Sequence, residues 1–357
     1  MSTTSLLPGG PVTVRLGDGA AELVHSQAEL RGLGRVLVLS TARRTEAAEG
    51  ISRRLAERSA GVLATAAEHV PVEIATHGRT EASRRGADGL APVGGGSTIG
   101  LAKAIALELA LPIIALPTTY SGSEMTPIWG ITEDSVKRTG RDERARAACV
   151  LYDPRLSQSL PAAVAIPSVF NALAHAVEAL YAPEANTESL DMASEAASCL
   201  VESIDAFAAG STDPVLREQA FRGACLAGAC LGRSSMGLHH KLCHVLGGTF
   251  GLPHAPTHAV LLPYVARFNL EGAPDARNRL ARALGAEDPI EALFALTARA
   301  FPRTLASLGF GKDDSRRAAE LATATPYPNP RPASAADVLA ILDAAYRGEL
   351  LITSRPR

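Results

Sequence analysis

Hydrophobic and polar positions divide the chain into two parts with different periodicity. Up to about residue 152, short runs rich in Val, Ile and Leu alternate with longer amphipathic runs, which predicts strands separated by helices. The predicted strands are PVTVRL, RVLVLS, GVLATA, GLAPVGG, PIIALPT and ACVLYD, and the helical runs between them include TEAAEGISRRLAER and TEASRRGA. Such alternation is typical of a largely parallel sheet covered by helices on both faces.

Beyond Asp153 the apolar residues recur with helical spacing only. Three long stretches carry this pattern, LPAAVAIPSVFNALAHAVEALY, ESLDMASEAASCLVESIDAFAAG and DPVLREQAFRGACLAGACLGRSSMG. We therefore predict an α/β domain over residues 1–157 and an all-α domain over residues 158–357.

Composition and charge narrow the class of partner. The formal net charge of the 357 residues is −2, which argues against a nucleic-acid or anionic-membrane partner. The sequence shows no apolar run long enough to span a bilayer, and the start MSTTSLLPGG lacks the features of a signal peptide. Five scattered cysteines suit reduced thiols in a cytoplasm, and Cys243 is expected to be a small apolar helix residue.

A glycine run marks the first candidate binding loop. Gly94, Gly95, Gly96 and Ser97 lie directly after a predicted strand and directly before the helix TIGLAKAIALELA. Glycines let a ligand approach the backbone, and a helix N-terminus offers free N–H groups and a positive dipole end. The run predicts a pyrophosphate site, although a tight turn capped by Ser97 would give the same sequence.

Two further loops follow predicted strands. The segment LPTTYSGSE leaves the strand PIIAL with Thr118, Thr119 and Ser121, where α/β sheets bind ligands. Ser40 and Thr41 end the second strand, where an acidic residue would bind ribose hydroxyls and repel a 2′-phosphate. Arg43 and Arg44 stand there instead, which favours use of both NADH and NADPH over NADH alone; both arginines being solvated helix residues is the alternative.

Five of the nine histidines lie in GLHHKLCHVLGGTFGLPHAPTH, residues 237–258. His240 and His244 are four residues apart and share one face of a helix. Asn171 and His175 have the same spacing on another predicted helix, with Glu178 one turn further on. Two helices that each present a polar pair inward predict a pocket, whereas a lone histidine would be read as a satisfied core residue.

The histidine-rich segment is predicted to turn before its end. Gly247 and Gly248 are expected to break the helix, and a turn through Pro253 would then present His254 from a loop. The pocket is therefore expected to combine side chains from two helices and one loop.

With these motifs in place, the chain resembles the iron-containing alcohol dehydrogenase superfamily, and within it the maleylacetate reductase branch. The resemblance rests on GGGSTIGLAKAIAL, PTTYSGSEMTPIWGIT, NALAHAVEALYAPEAN, GLHHKLCHVLGGTFGLPHAPTHAVLLPY and PYPNPRP. It implies the dehydroquinate synthase-like fold, a Rossmann-like dinucleotide-binding domain followed by an all-α catalytic domain. It also implies a cytoplasmic homodimer that reduces maleylacetate to 3-oxoadipate in bacterial breakdown of aromatic compounds, with NADH or NADPH.

The resemblance also assigns roles by position. Residues expected to bind the cofactor are Gly94, Gly95, Gly96, Ser97, Thr118, Thr119, Ser121, Ser40 and Thr41. Residues expected to act on the substrate are His244, His240, His175, His254, Lys241 and Tyr120, with His239 as a further candidate for its carboxylates. Lys241 being a solvated helix residue is the alternative for that position.

This chain departs from the metal-dependent relatives at one position that affects metal binding. In metal-dependent relatives an aspartate and three histidines hold iron or zinc; His175, His240 and His254 match the histidines, whereas the aspartate position is Asn171. An amide oxygen offers a dication no compensating charge and is a weak ligand. We therefore expect a degenerate metal site that serves as an anion pocket for a dicarboxylate, with no metal required.

The implied chemistry is hydride transfer to the alkene carbon β to the ketone of maleylacetate. Charge then develops on the ketone oxygen, and His244 or His240 is expected to donate there. Three alternatives stay open: a metal-dependent alcohol or aldehyde dehydrogenase, a non-redox lyase like dehydroquinate synthase, and a non-catalytic binding protein.

Overall fold

A computed structural model describes residues 3–7, 9–134 and 136–349 of the chain. It divides into two compact units. The first contains the described residues up to Pro161 together with Thr212–Gly232, and the second contains Ala162–Ser211 and the described residues from Arg233 onward. The first boundary between the units lies four residues beyond the predicted one at 157/158. The prediction also placed residues 212–232 in the helical domain, whereas the structure groups them with the first unit.

The first unit is built on a seven-stranded sheet. Its strands are β1 (Thr4–Leu6), β2 (Thr13–Leu16), β3 (Val36–Leu39), β4 (Ser59–Leu63), β5 (Gly89–Gly94), β6 (Ile114–Pro117) and β9 (Cys149–Tyr152), in the order β1-β2-β9-β6-β5-β3-β4. Every neighbouring pair except β1 with β2 is parallel. All six predicted strands are confirmed.

Helices cover this sheet. They are α1 (Val24–Glu29), α2 (Thr45–Leu55), α3 (Val72–Arg84), α4 (Gly96–Leu109) and α7 (Pro214–Leu231). The strands β3, β5, β6 and β9 are buried along their whole length, which is why their sequences are continuous apolar runs rather than alternating ones. The predicted helical segment TEASRRGA overlaps only the C-terminal part of α3, which begins eight residues earlier, at Val72, and ends at Arg84, before the segment does.

A separate antiparallel hairpin was not predicted. It consists of β7 (Ile128–Glu133) and β8 (Val136–Arg141). Every residue of β7 is half-buried, so its sequence IWGITE carries no alternation of buried and exposed positions to distinguish it.

The second unit is helical in the part of the chain that the structure describes. Its helices are α5 (Ala162–Ala179), α6 (Thr187–Ala208), α8 (Leu238–Phe250), α9 (His254–Leu270), α10 (Pro274–Leu284), α11 (Pro289–Ala300), α12 (Ser315–Thr323) and α13 (Ala335–Arg347). Contrary to the prediction that the chain has no apolar run of spanning length, α5 is long and apolar enough to cross a membrane, but 83% of it is buried inside the protein. It packs against α6 and α9 as a core helix of this unit.

The histidine-rich segment folds differently from the prediction of a break at Gly247-Gly248. Both glycines lie inside α8, which continues to Phe250 and ends at Gly251 in the left-handed conformation, φ 70°. A glycine with helical dihedral angles costs a helix about 1 kcal/mol but does not end it, whereas the residue that adopts a positive φ does. His254 is therefore the first residue of α9 rather than a loop residue, with Pro253 as its N-cap.

Candidate active site

The glycine loop joins β5 to α4, and its glycines serve two different structural purposes. A Cβ on Gly94 would lie 2.3 Å from Oγ1 of Thr98, and a Cβ on Gly95 would lie 2.8 Å from Oγ1 of Thr119. Gly96 is exposed, and a Cβ there would meet no atom within 4 Å. The first two glycines thus permit close packing, while the third leaves open space at the first turn of the helix.

That open space lies at a helix N-terminus suited to an anion. The N-cap of α4 is Gly95, which provides no side-chain cap for the first N–H groups. Those groups and the positive end of the helix dipole favour a phosphate. The geometry of the loop is compatible with an anion at this position, and pyrophosphate binding by Gly94–Ser97 stays a prediction.

The other predicted cofactor residues lie at the same edge of the sheet. The strands β6, β5 and β3 are neighbours and parallel, so the loops that follow them emerge together. Thr118 donates its backbone N–H to the carbonyl oxygen of Gly94 at 3.1 Å, which ties the second loop to the first. Ser40 is fully buried, while Thr41 and Ser121 are half-buried.

A buried lysine that the sequence analysis did not single out braces the second loop. Nζ of Lys103 donates to the carbonyl oxygens of Ser123 (2.8 Å), Thr126 (2.9 Å) and Ile128 (2.7 Å). Burial lowers the pKa of Lys103 to about 7, against the opposing effect of Glu124. The sequence contained a clue to this role, because Lys103 is the one basic residue in the apolar helix GSTIGLAKAIALEL, and a lysine among apolar residues is rarely buried without partners.

Lys103→Met is expected to destabilise the first unit by about 2–4 kcal/mol, because buried carbonyl oxygens lose their donor. Methionine fills much of the same volume. We also expect the KM for NADH to rise about tenfold, since the loop carrying Ser121 loses its brace. Urea unfolding and initial rates measure the two effects, and Arg84→Met, at an exposed position on α3, is the control. An unchanged KM would contradict the bracing role.

Tyr120 does not fit its predicted role at the substrate. Its side chain is 0% exposed, its hydroxyl donates to Oγ of Ser157 at 3.0 Å, and it accepts from Nη1 of Arg217 at 3.3 Å. Its ring also packs against Phe221, with the two centroids 4.7 Å apart. Tyr120 is therefore an internal residue of the first unit. A tyrosine in a polar loop gives no sequence signal of which way it points.

The second unit brings the predicted histidines together. The helix α5 provides Asn171 and His175, α8 provides His239, His240 and His244, and α9 provides His254 and His258. Ring centroids lie 4.9 Å apart for His175 and His240, 6.2 Å for His240 and His244, and 6.4 Å for His244 and His254. We call the seven side chains the histidine cluster.

The histidine cluster has a buried side and a more open side. Asn171, His175, His239, His240 and His258 are all at most 5% exposed. His244 and His254 are half-buried. Burial lowers the pKa of His239 to about 3 and holds the pKa values of His175 and His258 well below the ordinary range. These three imidazoles are therefore neutral at pH 7.

Glu178 holds the cluster to the start of α8. Its carboxylate accepts the backbone N–H groups of Gly237 (3.1 Å) and His239 (2.8 Å), where no side chain of α8 caps the helix. It also accepts Nδ1 of His240 at 2.5 Å. Burial by itself would raise the pKa of Glu178, but His240, His239 and the backbone N–H of Gly237 together lower it below its ordinary value. The carboxylate is therefore ionised at neutral pH, and it fixes which nitrogen of His240 carries the proton.

The late segment PYPNPRP completes this arrangement through Asn329. Its Oδ1 accepts the backbone N–H of Leu238 at 3.1 Å, and its Nδ2 donates to Oδ1 of Asn269 at 2.7 Å. Asn329 and Glu178 together satisfy the first N–H groups of α8. The sequence pointed to PYPNPRP only through the resemblance, because an asparagine between prolines has no periodic pattern.

Lys241 lies on α8 beside the cluster but points to a neighbour in its own unit. It is half-buried, and its Nζ donates to Oγ1 of Thr325 at 3.0 Å. Contact with a substrate carboxylate stays a prediction for this residue.

The donor set does not fit a tightly held iron or zinc ion. Oδ1 of Asn171, Nδ1 of His175 and Nε2 of His240 have no hydrogen-bond partner within the described residues, as metal ligands would, but none of them carries a negative charge. The anionic Glu178 stands behind His240, not among the donors. In residues 3–7, 9–134 and 136–349, the one set of three His, Cys or acidic side chains with ligand atoms mutually within 4.8 Å is His239, Cys243 and His258.

Two family models together match nearly the whole chain. One, described as iron-containing alcohol dehydrogenase, matches residues 11–154, and the other, the C-terminal part of the Fe-containing alcohol dehydrogenase family, matches residues 165–346. Among curated proteins, the chain is 46% identical to a maleylacetate reductase of Burkholderia cepacia, over 94% of this chain and 96% of that protein. It is also 46% identical to maleylacetate reductase 2 of Cupriavidus pinatubonensis, over 95% and 96%.

Solved structures of maleylacetate reductases are also similar to this chain. The maleylacetate reductase of a Rhizobium species superposes with a TM-score of 0.91 at 41% identity, covering 97% of this chain and 99% of that one. The enzyme of that name from Agrobacterium tumefaciens gives 0.91 and 41%, covering 98% and 99%. A more distant 1,3-propanediol oxidoreductase still gives 0.87 at 26%, covering 97% and 100%. The chain belongs to the iron-containing alcohol dehydrogenase family.

Proposed function

We propose that this protein is a maleylacetate reductase, which uses NADH or NADPH to reduce the carbon–carbon double bond of maleylacetate to give 3-oxoadipate. The observation that carries the proposal is similarity at 43–46% identity, over almost the full length, to several maleylacetate reductases. The glycine loop and the histidine cluster support it, because they supply a pyrophosphate site and a set of imidazole donors.

The bound nicotinamide would supply a hydride to the alkene carbon β to the ketone. The electron pair of the double bond then moves toward the ketone oxygen, and a proton must reach the adjacent carbon. We assign the proton to His244, because it lies on the more open side of the cluster and can recover a proton from solvent. His240 is assigned to the developing charge on the ketone oxygen, a role that requires it to act as an imidazolium, with Nδ1 donating to Glu178 and Nε2 donating to that oxygen.

We propose that no metal takes part. The amide oxygen of Asn171 is a weak ligand for zinc or iron and offers a dication no compensating charge. The carboxylates of the substrate would instead meet neutral N–H donors and the cation of Lys241. We further expect a cytoplasmic homodimer acting in bacterial catabolism of aromatic compounds, as the resemblance implies.

The test follows NADH absorbance with maleylacetate, with and without a strong chelator. Rapid oxidation that ignores the chelator would support the metal-free reductase. Oxidation lost with chelator and restored by zinc or iron would overturn the metal-free part and favour chemistry of the metal-dependent relatives. No oxidation of NADH or NADPH would overturn the substrate assignment, and simple alcohols and aldehydes would be tested next.

Arg43→Ala tests the use of NADPH. Arg43 is exposed, and Arg44 donates Nη1 to Oγ of Ser159 at 3.0 Å, so Arg43 is the better candidate for a 2′-phosphate. Losing one charge-assisted contact is expected to raise the KM for NADPH about five- to tenfold and leave the KM for NADH unchanged. Arg53→Ala, exposed on α2, is the control. Equal effects on both cofactors would contradict the hypothesis.

A further inference from the structure

His258 lies at the centre of the histidine cluster, although no role was assigned to it from the sequence. Its ring centroid is 4.5 Å from that of His254, 5.0 Å from that of His240 and 6.2 Å from that of His175. The side chain is 0% exposed. One imidazole therefore contacts all three histidines that match the metal ligands of metal-dependent relatives.

A second imidazole holds His258 in place. Its Nδ1 shares a hydrogen bond with Nε2 of His239 at 3.0 Å, and Sγ of Cys243 lies 3.7 Å from the same Nε2. His239 and Cys243 are both buried. If His258 turned away, a buried nitrogen of His239 would lose its partner, which carries a desolvation cost. The hydrogen bond to His239 therefore holds the ring of His258 in place.

The second ring nitrogen of His258 is a polar atom that can serve the cluster. Its Nε2 is buried and has no hydrogen-bond partner among the described residues. Oδ1 of Asn171, Nδ1 of His175 and Nε2 of His240 are in the same condition. Buried polar atoms without partners are rare, and within the described chain the cluster has five of them, these four and Nδ1 of His239, which indicates that it is built to receive a polar group.

The arrangement is unfavourable for a metal ion for a reason independent of Asn171. Zinc–nitrogen bonds of about 2.0–2.1 Å place the ligand atoms of a tetrahedral site about 3.4 Å apart. Within the described chain, the set of three His, Cys or acidic side chains whose ligand atoms lie mutually within 4.8 Å is His239, Cys243 and His258, not the trio His175, His240 and His254. The ring of His258 packs against all three, which makes it the candidate obstacle to the convergence of their nitrogen atoms.

We propose that His258, held by His239, excludes metal ions from the histidine cluster and presents an imidazole to the substrate in place of a metal cation. Two changes therefore separate this cluster from a metal site, the missing charge at Asn171 and the added ring at His258. What the imidazole contacts in catalysis rests on the proposed function. The exclusion of metal does not, since it concerns only these side chains.

The experiment compares the unmodified protein with Asn171→Asp, His258→Asn and the double variant. Each is stripped with chelator, incubated with Co²⁺, dialysed, and analysed for metal content and for the visible spectrum of bound cobalt. We expect substoichiometric metal in the unmodified protein and both single variants. The double variant is expected to bind about one Co²⁺ per chain, because it has both the charge and the space.

Four results would overturn the proposal. Asn171→Asp alone binding one equivalent would show that His258 does not exclude metal, and His258→Asn alone doing so would show that the charge is dispensable. A folded double variant without metal would show that the ring is not the obstacle. Stoichiometric metal in the unmodified protein that is lost in Cys243→Ser would assign a metal site to His239, Cys243 and His258 instead.

Folding and function are followed separately. Far-ultraviolet circular dichroism and thermal unfolding establish that each variant is folded, and Asn171→Asp with His258→Ser replaces the double variant if asparagine is not tolerated. Maleylacetate reduction by the unmodified protein is measured in parallel. Metal contents as expected without any maleylacetate reduction would leave the exclusion standing and remove the proposed function.

Discussion

His244→Ala is expected to lower the turnover number with maleylacetate by about 10²–10⁴-fold, the usual contribution of a general acid. His244 is half-buried, one helical turn after the buried His240, with ring centroids 6.2 Å apart. The deeper imidazoles have pKa values lowered by burial and are neutral at pH 7. A proton donor must recover its proton from solvent in every cycle, which favours the more open position.

Steady-state kinetics at saturating NADH measure this effect. The KM for NADH is expected to stay unchanged, because the predicted cofactor loops belong to the first unit and His244 to the second. His77→Ala, at an exposed position on α3, is the matched control. Near-normal turnover in His244→Ala would remove His244 from the mechanism, and the half-buried His254 would become the next candidate.

Much of the fold follows from the sequence because burial imposes it. The strands β3, β5, β6 and β9 are buried on both faces, so each had to be an uninterrupted apolar run. The glycine loop was equally visible, since Gly94 and Gly95 leave no room for a Cβ. Patterns that a single element imposes on its own residues can be read without the structure.

Contacts between distant segments could not be read in this way. The grouping of α7 with the sheet depends on contacts such as that of Arg217 with the backbone of Ser157, 60 residues earlier. The burial of Tyr120 depends on the same partners. No local sequence pattern predicts either arrangement, because both depend on tertiary packing rather than on periodicity.

The candidate site shows the same division. Helical spacing predicted that His240 and His244 share a face, and the cluster contains both. Spacing did not show that Glu178 caps α8, because the two lie 59 or more residues apart in the chain. It also did not distinguish His258 from the other histidines of its segment, since its central position arises only when α5, α8 and α9 pack together.

Glu178→Gln is expected to reduce the free energy of unfolding of the helical unit by about 3–5 kcal/mol, the usual cost of breaking a buried ionic interaction. The carboxylate accepts two backbone N–H groups at the start of α8 and the Nδ1 proton of His240. An amide can accept from some of these donors, but it also brings N–H groups of its own next to them. Turnover is expected to fall as well, because His240 loses the partner that orients it.

Urea unfolding from pH 8 to pH 3.5 distinguishes a charge effect from a packing effect. Because the folded-state pKa of Glu178 is lowered, its contribution to stability is complete above the ordinary pKa of about 4.3 and is lost as the pH falls through the lowered folded value. The stability gap between the unmodified protein and Glu178→Gln should therefore be constant near neutral pH and narrow as the pH falls below about 4.3. Both proteins should also lose stability below about pH 6.5, because His175, His239 and His258 resist protonation in the folded state.

Glu188→Gln is the matched control for Glu178→Gln. Glu188 lies near the start of α6 in the same unit, largely exposed, and forms a surface ion pair with Arg233 at 3.1 Å. Surface pairs contribute about 0–1 kcal/mol, so this variant should unfold almost as the unmodified protein does. A stability gap for Glu178→Gln that persisted unchanged into acid would show that shape, not charge, ties Glu178 to α8. The ionised carboxylate would then no longer account for the orientation of His240.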